Sequence, residues 1–177
     1  MGSLKDPYAR TVDNLRLAVT DRCNLRCVYC MPPEGVPRLS HDDILTYEEI
    51  ARILRVAVRA GVSKVRLTGG EPLVRKDLDC LVREISSLRP QLDLSLTTNG
   101  ILLASQAERL AAAGLRRVNV SIDSLRRETY RDITRRGGMD DALAGVEAAL
   151  DAGLEPVKIN VVVLSHLREE LGDYVSL

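Results

Sequence analysis

The sequence predicts an α/β protein in which parallel strands alternate with helices. Three observations carry that reading. Five short apolar runs rich in β-branched residues recur along the 177 residues. Segments with helical periodicity lie between them. Several of those segments end in Gly, at Ala60-Gly61, Ala113-Gly114 and Ala152-Gly153, the usual helix stop. Alternation of this kind means parallel strands joined by right-handed crossovers.

The strands are expected over residues 15–20, 64–68, 92–98, 117–122 and 157–164. The first intervening helix is expected over 48–60, with Ile50, Ile53, Leu54 and Ala57 on one stripe. Residues 78–88 and 105–113 repeat the pattern with Leu, Val and Ala, and the alanine-rich stretch 140–152 follows Gly138. Cys80 falls in the second helix, where the role of a small buried hydrophobe is expected. Arg135-Arg136-Gly137-Gly138 reads as a loop, and Arg126, Arg127, Arg131, Arg135 and Arg136 read as solvated charges.

Composition narrows the function classes. Basic and acidic residues balance at 25 each, which excludes a nucleic-acid-coating surface and a polybasic membrane anchor. No apolar run approaches the roughly 18 residues of a membrane span. Met1-Gly2-Ser3-Leu4-Lys5-Asp6 lacks the apolar stretch of a signal peptide, so a cytoplasmic setting is expected. Phe and Trp are absent, so the core must be aliphatic. The length suits a single domain over 1–177. Neither a G-x-G-x-x-G fingerprint nor a G-x-x-x-x-G-K-[ST] loop occurs, which removes the main support for dinucleotide and P-loop readings.

The chemistry concentrates in Cys23-Asn24-Leu25-Arg26-Cys27-Val28-Tyr29-Cys30, a C-x3-C-x2-C spacing with no fourth cysteine nearby. An iron–sulfur cube normally takes four thiolates. Three would leave one iron with an open position, and an open position is how a metal site transforms a ligand. A disulfide framework fits poorly without a secretory leader. Zinc prefers paired C-x2-C or cysteine with histidine, and His41 and His166 lie at no ligand spacing from the cysteines. Polar and glycine residues gather where the apolar runs end: Thr20-Asp21, Thr68-Gly69-Gly70-Glu71, Thr97-Thr98-Asn99-Gly100 and Ser121-Ile122-Asp123-Ser124. That edge of a parallel sheet is where α/β folds build active sites. Capping of the following helices is the other role expected of some of these residues, and the two roles can coexist.

These motifs resemble a known family. The three-cysteine loop, with Tyr29 before its last cysteine, and Gly69-Gly70-Glu71-Pro72 after the second strand look like the radical S-adenosylmethionine superfamily. The wider run from about Asp6 to Val163 is similar to the GTP 3′,8-cyclases of molybdenum cofactor biosynthesis. That run includes Leu15 to Cys23, Cys30-Met31-Pro32-Pro33-Glu34-Gly35, Arg66 to Arg75, Thr97 to Gly100, Asn119 to Leu125 and Val157 to Asn160. The resemblance implies a (β/α)6-type partial TIM barrel, here incomplete with about five parallel strands. It implies a [4Fe-4S] cluster on Cys23, Cys27 and Cys30, with S-adenosyl-L-methionine chelating the fourth iron. One electron from an external donor would then yield a 5′-deoxyadenosyl radical that takes hydrogen from C3′ of GTP. Attack on C8 would lead to (8S)-3′,8-cyclo-7,8-dihydroguanosine 5′-triphosphate. By the same resemblance Tyr29, Gly70 and Ser121 contact S-adenosylmethionine, and Arg16, Arg66, Thr97 and Lys158 hold GTP. The physics of the last set agrees, because guanidinium groups bind phosphate oxygens bidentately. A salt bridge or an outward-facing charge is the competing role for Arg16, Arg66 and Lys158.

The family's chains are longer, with a sixth strand and a carboxyl-terminal region whose three cysteines carry a second, GTP-binding cluster. After Cys80 this sequence has no cysteine, and residues 165–177 fit the pattern poorly. The expectation is a core domain truncated before the last strand. Its last strand edge would be unpaired and prone to self-association, as a homodimer or with a complementing polypeptide. Two alternatives stay open: a radical S-adenosylmethionine enzyme acting on another substrate, and a non-catalytic [4Fe-4S]-binding fragment.

Overall fold

A computed structural model describes residues 4–37, 39–164, 169–170 and 172–175, with His41 described by its backbone alone. His166 and much of the stretch 165–177 lie outside the described residues. In chain order the elements are β1 (Asn14–Ala18), α1 (Tyr47–Arg59), β2 (Lys64–Thr68), α2 (Leu78–Leu88), β3 (Asp93–Thr98), α3 (Ala107–Ala112), β4 (Arg117–Ser121), α4 (Arg127–Thr134), α5 (Met139–Asp151) and β5 (Val157–Asn160). Single 3-10 turns occur at His41–Asp43, Pro72–Val74 and Asp173–Val175.

The five strands form one open parallel sheet in the order β1-β2-β3-β4-β5. Each strand lies beside its predecessor, so every crossover steps the same way. Right-handed crossovers that all step one way place every helix on the same face. The burial pattern shows the consequence. Val65, Leu67, Leu94, Leu96, Val118 and Val120 point to the helices and form the core with Ile50, Leu54, Leu81, Ile85 and Leu110. The alternate residues point the other way and are polar: Arg16, Arg66, Thr68, Ser95, Thr97, Arg117, Asn119, Ser121, Lys158 and Asn160. A parallel sheet covered on both faces would carry apolar residues at both sets of positions. This one alternates like a half-wetted sheet, as the wall of an unclosed barrel must.

Local chemistry explains the element ends. Thr46 and Glu49 close a reciprocal capping box on α1, with the Glu49 N–H on the Thr46 hydroxyl at 3.2 Å and the Thr46 N–H on the Glu49 carboxylate at 2.8 Å. Gly61, Gly114 and Gly153 follow α1, α3 and α5 with positive φ, as expected.

Four expectations need correction. β5 ends at Asn160 rather than at 164, because the Val162 N–H bonds the Asp123 carboxylate (2.9 Å) and turns the chain out of the sheet. The α4 helix was hidden in an arginine-rich run whose apolar stripe is only Tyr130 and Ile133, both buried. Ile53 is 45% exposed, since the buried face of α1 is Ile50, Ala51 and Leu54. Cys80 is exposed too, standing off the α2 stripe of Leu78, Leu81, Val82 and Ile85.

Candidate active site

The cysteine loop leaves β1 and is clamped from every side. Leu25 is buried and meets the α4–α5 connection, where a side chain at Gly137 would collide with it at 2.8 Å. The N–H groups of Arg26 and Val28 bond the Thr134 and Ile133 carbonyls at 3.0 and 2.9 Å. Those are carbonyls of the last turn of α4, which have no partner inside the helix. Arg135, at the end of α4, donates to the carbonyls of Arg26 (3.3 Å) and Met31 (2.9 Å). The expectation that Arg135 is merely solvated is therefore corrected: its head stitches both ends of the cysteine loop. Arg126 and Arg127 are exposed, as expected of solvated charges, and form surface ion pairs with Glu170 and Asp173 and with Asp140 respectively.

The glycine pair of the β2 loop fits under this loop. A Cβ at Gly70 would lie 2.3 Å from the Arg22 carbonyl oxygen, and one at Gly69 would lie 2.4 Å from that of Thr20. The Gly70 and Glu71 N–H groups bond those same carbonyls at 2.8 and 2.7 Å. Only glycine lets the two backbones touch here.

Glu71 is 1% exposed and ties the β2 and β3 loops together. It accepts from the Thr98 hydroxyl (2.7 Å), the Asn99 N–H (2.7 Å) and the Leu73 N–H (3.1 Å). Burial raises its pKa above the ordinary value, opposed by these three hydrogen bonds. Asn99 then donates to Asn24 beside the first cysteine at 2.7 Å. The strand-end residues therefore bond one another's loops. The capping role fails for α3, α4 and α5, whose N-caps carry no side-chain cap hydrogen bond.

Cys23 and Cys27 are half-buried and Cys30 is exposed. Burial, and after it the charge of Asp123, pushes the Cys27 thiol up to about 11. Burial raises Cys23 as well. A metal held by these cysteines would have to displace their protons, since the thiolate is the ligand form. Among the described residues no three His, Cys, Asp or Glu side chains converge on one point as a single ion needs. A cluster takes each thiolate on a different iron, and the three free thiols of this one loop match that kind of ligand set.

The sequence-predicted substrate residues lie on the polar sheet face below this loop. Register sets Arg16 opposite Arg66, Arg66 opposite Ser95 and Ser95 opposite Arg117; one layer up it sets Thr97 opposite Asn119 and Asn119 opposite Lys158. Asp93 neutralises Arg117 through two hydrogen bonds of 2.8 and 2.5 Å. Among the described residues Arg16, Arg66 and Lys158 form no ion pair, so the competing salt-bridge role fails for all three. The other competing role, an exposed charge, stays open for Arg16 and Lys158, which are exposed. The Arg66 Nε and the Thr97 hydroxyl are buried without a hydrogen-bond partner. Arg16 is exposed toward the open face. Arg16 and Arg66 are thus like charges in register on neighbouring strands, beside two buried polar atoms with no partner among the described residues.

Tyr29 reaches from the cysteine loop to Asp123 at 2.5 Å. Ser121 lies one layer above Asn119, at the rim. Sequence reading gave no individual role to Ser95, Asn119, Glu71 or Asp123, the last two appearing only within the strand-end motifs. The signal for the first two was the strict alternation in Asp93-Leu94-Ser95-Leu96-Thr97 and Arg117-Val118-Asn119-Val120-Ser121, which marks the face opposite the helices.

Comparison with known proteins agrees with this arrangement. A GTP 3′,8-cyclase of Petrotoga mobilis is 51% identical over 97% of this chain and 54% of its own length. One from Pelotomaculum thermopropionicum is 54% identical over 94% of this chain and 51% of its own. The chain thus spans about half the length of the curated relatives it matches. In fold it resembles Streptococcus suis SuiB bound to S-adenosylmethionine, with a TM-score of 0.76 and 23% identity over 93% of this chain and 37% of that one. The sequence profile of the Radical SAM superfamily matches residues 17–177, taking in every cysteine, both loop glycines and the strands from β2 onward. By that match the chain belongs to the radical S-adenosylmethionine superfamily, whose members work with a [4Fe-4S] cluster and S-adenosylmethionine.

Proposed function

We propose that this chain carries the radical-generating core of a GTP 3′,8-cyclase of molybdenum cofactor biosynthesis. The observation that carries the proposal is the pairing of a clamped three-cysteine loop with a polar sheet face bearing two unneutralised arginines in register. Relatives of that name at 51% and 54% identity support it. Cys23, Cys27 and Cys30 hold the cluster, and Tyr29, Gly70 and Ser121 border the S-adenosylmethionine. When bound and reduced by an external one-electron donor, the two cofactors together supply a 5′-deoxyadenosyl radical, and the protein's part is position, charge and exclusion of water.

The substrate residues divide the work. Arg16 and Arg66 receive the triphosphate, whose charge relieves their mutual repulsion and gives the Arg66 Nε its missing partner. Thr97 and Lys158, one layer nearer the rim, orient the nucleoside toward the cysteine loop. Among the described residues no helix is long and apolar enough to cross a membrane. A reducing, cytoplasmic compartment suits thiols kept free for iron.

The test is an anaerobic reconstitution with S-adenosylmethionine, dithionite and GTP. The expected product is the cyclised nucleotide alongside 5′-deoxyadenosine. Release of 5′-deoxyadenosine with GTP untouched fits both another substrate and the want of the family's carboxyl-terminal GTP-binding cluster, and supplying that region as a separate polypeptide tells the two apart.

A further inference from the structure

Asp123 is a buried carboxylate that the functional reading above leaves unused. It is 4% exposed and sits just past the end of β4. Its two oxygens face two different parts of the chain. One accepts from the Tyr29 hydroxyl at 2.5 Å, across 94 positions of sequence. The other accepts from the Val162 N–H at 2.9 Å, where the chain leaves β5. The neighbouring residues converge on the same place. Ser124 donates to Glu170 at 2.5 Å, and the Tyr174 hydroxyl donates to the Ile122 carbonyl at 3.0 Å. The end of β4 is thus a hub that joins the cysteine loop to the segment beyond β5.

We propose that Asp123 is a positioning residue that latches the cysteine loop through Tyr29 and, by its fixed negative charge, sets the potential of the cluster that loop holds. The inference rests on the cluster reading above. A cluster's potential follows net charge and hydrogen bonding around its sulfurs. An anion fixed beside it favours the oxidised form and lowers the potential. Tyr29 lies between Cys27 and Cys30, so its 2.5 Å hydrogen bond brings the Asp123 carboxylate against the cysteine loop itself.

Two variants separate the latch from the charge. Asp123→Asn keeps an oxygen for Val162 and a polar partner for Tyr29 but removes the charge. Tyr29→Phe keeps the charge but removes the latch. The reconstituted chain is titrated potentiometrically with paramagnetic resonance detection. Asp123→Asn should raise the potential by an amount equal to about a tenfold change in the reduction constant, which is about 59 mV for one electron. An unchanged potential overturns the charge role. Amide hydrogen exchange on the metal-free chain reads the latch independently of iron. Tyr29→Phe should speed exchange at Val28, Cys30 and Met31, while Asp123→Asn leaves it near wild type. Equal exchange in wild type and Tyr29→Phe overturns the latch. A wild-type chain that takes up no iron overturns the cluster reading and the charge role with it, and the exchange result still decides the latch.

Discussion

Replacing Gly70 with Ala should damage the cysteine loop rather than the sheet. The added methyl would lie 2.3 Å from the Arg22 carbonyl oxygen, and real Cβ contacts essentially never fall below 3.0 Å, so the carbonyl must retreat by about 0.7 Å. The atom in the way is backbone, so no side chain can swing aside. That retreat breaks the 2.7 Å bond from the Glu71 N–H. Overpacking of this kind costs about 1–3 kcal/mol, and the lost hydrogen bond about 0.5–1.5. At about 2–4 °C per kcal/mol for a domain of this size, the midpoint should fall by roughly 3–18 °C. Circular dichroism of the metal-free chain reads the midpoint, and iron analysis after reconstitution reads the loop. Gly153→Ala is the control. Its φ of +75° strains any side chain, but no atom lies within 4 Å. It should lose about 1–2 kcal/mol with normal iron uptake. If Gly70→Ala melts and binds iron like the wild type, the account of the glycine pair is wrong.

Further expectations concern neighbouring groups. Arg66→Met removes one of two adjacent unneutralised cations, so the melting point should hold or rise, while GTP affinity by calorimetry should fall tenfold or more. Glu71→Gln turns one carboxylate oxygen into a donor facing donors, at a cost of about 1–3 kcal/mol in chemical denaturation. The folded protein holds the Glu71 proton more tightly than the unfolded chain does. Its contribution is therefore present below about pH 4.5 and lost as pH rises through the folded pKa, and the Gln variant should lack that slope. Arg135→Ala should leave the fold intact but shorten iron retention against a chelator, because two loop carbonyls lose their donor. The outer edge of β5 has no strand partner among the described residues, and Val162 and Val163 beside it are exposed. Concentration-dependent association should appear in gel filtration, and a strictly monomeric profile would contradict it.

Much of the fold was legible in the sequence for a physical reason. Strand and helix periods differ, and short Gly-ended connections leave little ambiguity, so the Leu78–Leu88 helix and the Lys64–Thr68 strand emerge with their observed bounds. The α4 helix was not legible, because its helical stripe holds two apolar residues among charges and its stability comes from docking on the cysteine loop. The extent of β5 was not legible either. Val161, Val162 and Val163 suit a strand, and only the distant Asp123 carboxylate diverts them. At the site, local sequence identified the residues whose chemistry is distinctive, such as the cysteines and the loop glycines. It gave no hint that Tyr29 and Asp123 meet, or that Arg135 serves the loop, because those contacts join residues about a hundred positions apart.

The central claim is that three thiolates hold a cluster with one iron left open. Mössbauer spectroscopy of the anaerobically reconstituted chain tests it most directly. About four irons per chain are expected, one of which changes its spectrum when S-adenosylmethionine is added, with the whole signal lost in Cys27→Ala. Zinc in place of iron, or four irons indifferent to S-adenosylmethionine, would contradict the account.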